Sequence, residues 1–142
     1  MTHHVQASRQ IPVSADDLWQ TISQMTGMEA WYPGLIRESE VIEQNSAEPK
    51  RNCTMQDGGV LKERILLRDN ATRTFVYAID IHPLPAQNVV GTIRIDDLGS
   101  GQSHVSWSAN LALDPDMAEQ MQGMVQGMYE NGLASLEAFH TT

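Results

Sequence analysis

The chain has a single cysteine, Cys53, so no disulfide can form within it. One thiol in 142 residues fits a reducing compartment. No stretch approaches the roughly 20 consecutive apolar residues of a membrane-spanning helix, and the first residues lack the apolar run of a secretory signal. A cytoplasmic protein is the expectation. Basic residues are scarce: nine Lys and Arg stand against eighteen Asp and Glu, a net charge of −9. That balance argues against nucleic acid or an anionic membrane surface as a partner, and it serves solubility. His3, His4, His82, His104 and His140 lack metal-ligand spacing, and no phosphate-cradling glycine loop, G-x-S-x-G or H-E-x-x-H occurs. Neither a metal nor a cofactor is expected. Cys53 has no histidine near it in sequence and reads as a buried, unreactive thiol.

What the chain does contain is alternation. Residues 3–11 read as a half-buried strand, with Val5, Ala7 and Ile11 on one side and Gln6, Ser8 and Gln10 on the other; Arg9 breaks the apolar side. Ser14 is placed to cap a helix whose first turn carries Asp16 and Asp17, where the helix dipole favours negative charge. Leu18, Ile22 and Met25 recur at helical spacing as far as Gly27, and Met28–Tyr32 reads as one more short turn. From Leu35 onward, strand-like segments follow at 35–44, 50–57, 60–69, 72–81, 88–97 and 102–113. Asp57-Gly58-Gly59, Asp69-Asn70 and Gly99-Ser100-Gly101 are hairpin turns, while His82-Pro83-Leu84-Pro85 is a longer, stiffer connection. Residues 114–142 read as one long helix, with Asp114 as its cap and Pro115 at its first position. Met117, Met121, Met124 and Met128 stripe one face of it, and Gly123, Gly127 and Gly132 weaken it.

Sequential hairpins imply an antiparallel sheet, and the last helix must bury its apolar face against that sheet. The expected fold is therefore α+β: a seven-stranded antiparallel sheet curved around a long C-terminal helix, with one or two short helices after the first strand. Residues 1–142 form one domain in this reading. Period-two alternation points Phe75, Tyr77, Ile79 and Ile81 inward, then Val89, Gly91, Ile93 and Ile95, then Val105, Trp107, Ala109, Leu111 and Leu113. Leu61, Glu63, Ile65 and Leu67 also share one face. A carboxylate on an apolar face is costly unless paired, protonated or wetted. Glu63 is accordingly a candidate ligand anchor or acid/base group; the alternatives are a structural partner for an inward Arg9, or a place on the surface. Tyr77 and Trp107 combine an apolar body with a hydrogen-bond donor, as pocket liners often do, although Trp107 equally reads as plain core. Trp31 and Tyr32, beside Pro33-Gly34, either seal the core or gate a cavity mouth. The methionines are core filling or the adaptable wall of a cavity.

Several segments, taken in order, carry a resemblance. They are IPVSADDLWQTIS, AWYPGLI, GGVLKERILLRD, TRTFVYAID, PLPAQNVVGTIRI, SHVSWSANL and GMYENGLASLEAF, spanning about Val5 to Phe139. Together they resemble the START/birch-pollen-allergen superfamily, in its bacterial polyketide cyclase/dehydrase-like (SRPBCC) branch. The resemblance implies a helix-grip fold enclosing an apolar cavity for lipids, polyketides or other hydrophobic small molecules. Leu84 and Asn88 look like part of a cavity-entrance loop of such proteins. The candidate ligand-binding set is then Glu63, Tyr77, Ile79, Trp107, Trp31, Tyr32, Leu84, Asn88, Met121, Met124 and Met128.

Three functions are weighed. The first is binding of a hydrophobic or aromatic small molecule, lipid- or polyketide-like, between sheet and helix. The second is a polyketide cyclase or dehydratase in which Glu63 moves a proton. The third is a regulatory protein-interaction module. A homodimer is left open. Binder and enzyme differ in whether several polar groups converge near one reacting atom.

Overall fold

Period-two segments joined by tight turns pair in sequence, and the computed structural model, which describes residues 2–43 and 45–142, has that arrangement. The strands are β1 (Thr2–Ile11), β2 (Ile36–Val41), β3 (Lys50–Met55), β4 (Val60–Asp69), β5 (Thr74–Ile81), β6 (Ala86–Gly99) and β7 (Gln102–Leu113). They form one antiparallel sheet in the order β1-β7-β6-β5-β4-β3-β2. Two short helices, α1 (Ala15–Ile22) and α2 (Met28–Trp31), connect the two edge strands, and α3 (Ala118–Thr141) packs across β1 and β7. This is the helix-grip architecture expected from the sequence. Among the described residues, no helix is long and apolar enough to cross a membrane.

Local chemistry explains most boundaries. Ser14 caps α1 by accepting from the Asp17 N–H. Between β3 and β4, Gly58 takes a left-handed φ of 93°, and Asp57 Oδ1 accepts from the Gly59 N–H at 2.8 Å. Inward residues of β6 and β7 are buried as their alternation predicts: Val89, Gly91, Ile93 and Ile95, then Val105, Trp107, Ala109, Leu111 and Leu113.

Other expectations need correction. Leu67 does not share the inner face with Leu61, Glu63 and Ile65; it is 45% exposed. A β-bulge between Ile65 and Leu67 adds a residue and reverses the parity beyond it. Ile81 is also exposed, at the end of β5 beyond the last buried partner. Arg9 does not turn inward, because its guanidinium reaches Glu137 of α3 at 2.9 Å. Helix α1 stops at Ile22 instead of continuing to Met25, which is buried in the loop that follows. Asp114 does not cap α3. Its carboxylate accepts from the Asp116 N–H and its carbonyl from the Met117 N–H, a self-contained turn, and the helix begins only at Ala118.

Candidate functional site

The curved sheet and the first half of α3 do not meet over their whole length. Between them lies a cavity of about 380 Å³, walled by side chains from every layer. From α1 and α2 come Ile22, Met28 and Trp31, followed by Tyr32 and Leu35; from α3 come Met124, Val125, Met128 and Tyr129. The sheet supplies Leu61, Phe75, Ile79, Val89, Ile93, Ala109 and Leu111. Gln24, Asp57, Pro83 and Met124, all exposed, mark where the lining meets solvent.

Two glycines make the floor possible. Tyr77 on β5 lies opposite Gly91 on β6, and a Cβ there would come within 2.3 Å of the Tyr77 ring. The phenol thus lies across the bare backbone, with its hydroxyl accepting from Trp107 Nε1 at 2.8 Å. On α3, a Cβ on Gly132 would come within 2.5 Å of Trp107 and 2.7 Å of Tyr32. Its absence lets the helix settle onto both rings. Trp107 stacks on Tyr129 at 4.4 Å and 13°, and Trp31 and Tyr32 close around it at 5.8 and 6.2 Å. Such geometries add roughly 0.5–1.5 kcal/mol per pair beyond area burial. Tyr32 is pinned by donating its hydroxyl to the Met128 carbonyl, and the Ser135 hydroxyl donates to the Trp31 carbonyl at 2.6 Å.

The polar part of the wall is a buried ion pair. Arg51 Nε donates to Glu63 Oε1 at 2.7 Å, with side chains 8% and 3% exposed. The two residues face each other across β3 and β4. Arg51 Nη1 also reaches the Met25 carbonyl at 3.5 Å, and the guanidinium lies 5.2 Å from the Phe75 ring centre and 5.7 Å from that of Tyr77. Burial opposes the guanidinium charge, but the adjacent Glu63 carboxylate outweighs it and holds Arg51 above its ordinary value. Among the described residues, Glu63 Oε2 and Arg51 Nη2 have no protein partner. Burial pushes the Tyr77 hydroxyl well above its usual range, with the neighbouring Tyr129 and the Glu63 charge adding to it. Tyr129 is pushed up to about 12, also chiefly by burial. Both therefore stay protonated and can donate. Cys53, on the inner face of β3, is fully buried, and burial raises its thiol to about 12.

Of the residues singled out from sequence, Glu63, Tyr77, Ile79, Trp107, Trp31, Tyr32, Leu84, Met124 and Met128 line this cavity. Asn88 and Met121 do not. Asn88 sits at a bulge in β6 with a left-handed φ of 53° and its side chain exposed, while Met121 is buried in the apolar core outside the lining. Sequence reasoning missed Arg51 and Tyr129. Arg51 shares the parity of Cys53 and Met55, both buried, so alternation in β3 did point it inward. Tyr129 follows Met121 and Val125 at steps of four, the true buried stripe of α3; Met124 and Met128 are offset from it, and Met117 precedes the helix. Among the described residues, no group of three His, Cys, Asp or Glu side chains could hold a metal ion.

Residues 2–139 match the family described as polyketide cyclase/dehydrase and lipid transport. No curated protein matches the chain. Among solved structures, an uncharacterised protein from Bacillus thuringiensis is 28% identical with a TM-score of 0.88, over 96% of this chain and 98% of its own. Norcoclaurine synthase from Thalictrum flavum shares the fold at 18% identity and a TM-score of 0.79, over 99% of this chain and 94% of that one. The Zhui aromatase/cyclase from a Streptomyces species shares it at 15% identity and 0.76, over 98% and 91%.

Proposed function

This chain belongs to the polyketide cyclase/dehydrase and lipid transport family, and from that premise we propose that it binds a hydrophobic or aromatic small molecule between the sheet and α3. The observation that carries the reading is the apolar cavity of about 380 Å³ with a single ion pair, Arg51–Glu63, on its wall. That volume is near the lower end of ordinary small-molecule sites, and it favours a compact ring system over a two-chain lipid. The lone, buried thiol of Cys53 suits a cytoplasmic, reducing setting. A neutral, environment-sensitive dye such as Nile red tests the reading. It should brighten on binding the native protein and lose at least tenfold in affinity to Val125→Phe, which fills the cavity from α3. Equal binding to both proteins, or none to either, would remove the cavity from the function.

A second reading is favoured by one specific arrangement. Around Glu63 stand two protonated phenols, Tyr77 and Tyr129, a set able to take a proton from carbon and stabilise the oxyanion that forms. In a cyclase or dehydratase, Glu63 would be the base and the phenols the donors. Glu63→Gln should then abolish turnover of an added poly-β-ketone while leaving dye binding within about threefold. Loss of both together would favour a purely structural Glu63.

A further inference from the structure

Resting on that binding reading, we propose that the cavity selects its ligand by charge: it takes an uncharged aromatic compound that donates an O–H or N–H to Glu63, and it rejects carboxylates. Three observations converge. The Arg51–Glu63 contact uses one prong of the guanidinium and one carboxylate oxygen, leaving Glu63 Oε2 as a free acceptor. An incoming carboxylate that sought Arg51 Nη2 would lie beside the Glu63 carboxylate in a water-poor site. There, like charges repel strongly and the cost of desolvating the newcomer is not offset.

The rest of the lining offers no relief. Among the described residues, Arg51 is its only basic one, against the two carboxylates of Glu63 and Asp57. A cation fares little better, because the Glu63 carboxylate it would seek is already paired with the Arg51 guanidinium at 2.7 Å, and that like charge stands beside it, over Phe75 and Tyr77. A neutral hydroxyl meets neither penalty. Its proton goes to Glu63 Oε2, and its oxygen can accept from a phenol. The donor at hand is the phenol pair: Tyr77 accepts from Trp107 Nε1 and is hydrogen-bonded to the Tyr129 hydroxyl, so one phenol proton is held between the two rings and the other remains to give.

The test is a series of equal shape and different charge: 2-naphthol, naphthalene, 2-naphthoate and 2-naphthylmethylammonium, each displacing Nile red at neutral pH. 2-Naphthol should bind about tenfold more tightly than any of the other three, a gap of about 1.4 kcal/mol. In Glu63→Gln the naphthol advantage should vanish and 2-naphthoate should gain about tenfold, as the guanidinium is released. Tyr77→Phe, which keeps the ion pair, should weaken 2-naphthol several-fold and leave naphthalene unchanged; circular dichroism checks that each variant is folded. Naphthoate or the ammonium compound binding as tightly as naphthol overturns the charge selection and leaves the cavity's role standing. If Nile red itself does not bind, the cavity reading falls first and this inference with it.

Discussion

The two halves of α3 do different work in the same helix. From Gly132 onward the helix is clamped: Leu133 and Leu136 are fully buried, Gly132 lies against Trp107 and Tyr32, Ser135 holds the Trp31 carbonyl, and Glu137 and His140 reach Arg9 and Thr21. Before Gly132 it roofs the cavity. Met124 is 42% exposed while facing the hollow, and a Cβ on Gly123 or Gly127 would meet nothing within 4 Å. Stability is invested at one end, and space is kept at the other. Binding sites are commonly drawn from the less stable parts of a fold, and here the division falls within a single helix.

The largest effect that separates the two regions is expected in alkali. Cys53, Tyr77 and Tyr129 all sit at the cavity end, and burial raises each above its ordinary value, to about 12 for Cys53 and for Tyr129. Each is neutral when protonated, so a raised native value means that the folded state resists ionisation. Their contribution is fully present below the unfolded values of about 9 to 10 and is lost as pH climbs from there toward 12. Circular dichroism and tyrosinate absorbance, followed together, should show Tyr77 and Tyr129 ionising only as the fold is lost. Three phenols titrating near 10 in a folded protein would contradict this.

Truncation sharpens the comparison further. Leu136→Ala, in the clamped half, should cost about 2–5 kcal/mol by urea denaturation, the range for a large-to-small change in a packed core. Met124→Ala, over the cavity, should cost no more than about 0.5 kcal/mol. Similar losses at both sites would mean that the roof is as tightly packed as the clamp. Glycines give a smaller contrast of opposite sign. Gly127→Ala should stabilise by up to about 1 kcal/mol through helix propensity alone. Gly132→Ala has the same propensity gain but forces a methyl into Trp107 and Tyr32, and overpacking of this kind costs about 1–3 kcal/mol. Equal gains from both substitutions would show that the rings move aside without penalty.

What the sequence disclosed follows the same division. Strands β6 and β7 were legible because one face is buried and alternation runs unbroken along their inner positions. In β4 the pattern held through Ile65 and failed at Leu67, since a bulge leaves no mark in an apolar run. Glu63 stood out as a carboxylate among apolar neighbours, and it does line the cavity. Its partner was harder to see. Lys50-Arg51 resembles a solvated basic pair, and the parity Arg51 shares with Cys53 and Met55, which sets it inward opposite Glu63, is easily passed over. On α3 the methionine spacing drew attention to one stripe, whereas burial follows Met121, Val125, Tyr129, Leu133 and Leu136. Methionine tolerates partial exposure at a cavity rim, so its periodicity identifies the helix but not the centre of its buried face.

The smallest effect lies at the clamped end and runs in the opposite direction along the pH scale. His140, in the last turn of α3, shares a 2.8 Å hydrogen bond with the Thr21 hydroxyl of α1. Partial burial lowers its value, although nearby Asp17 pulls the other way. A lowered native value means that the fold prefers neutral imidazole. The contribution is therefore present above the unfolded value of about 6.5 and is lost as pH falls through it toward the native one. The imidazole is only partly buried, and solvent screens its contacts, so the loss is expected to be slight. It should appear as a shallow decline in Tm between pH 7 and 5 that His140→Gln reduces, with the imidazole titrating below 6.5 by NMR. Titration at or above 6.5 would place the acid sensitivity elsewhere and leave the clamp without a proton-linked contact to α1.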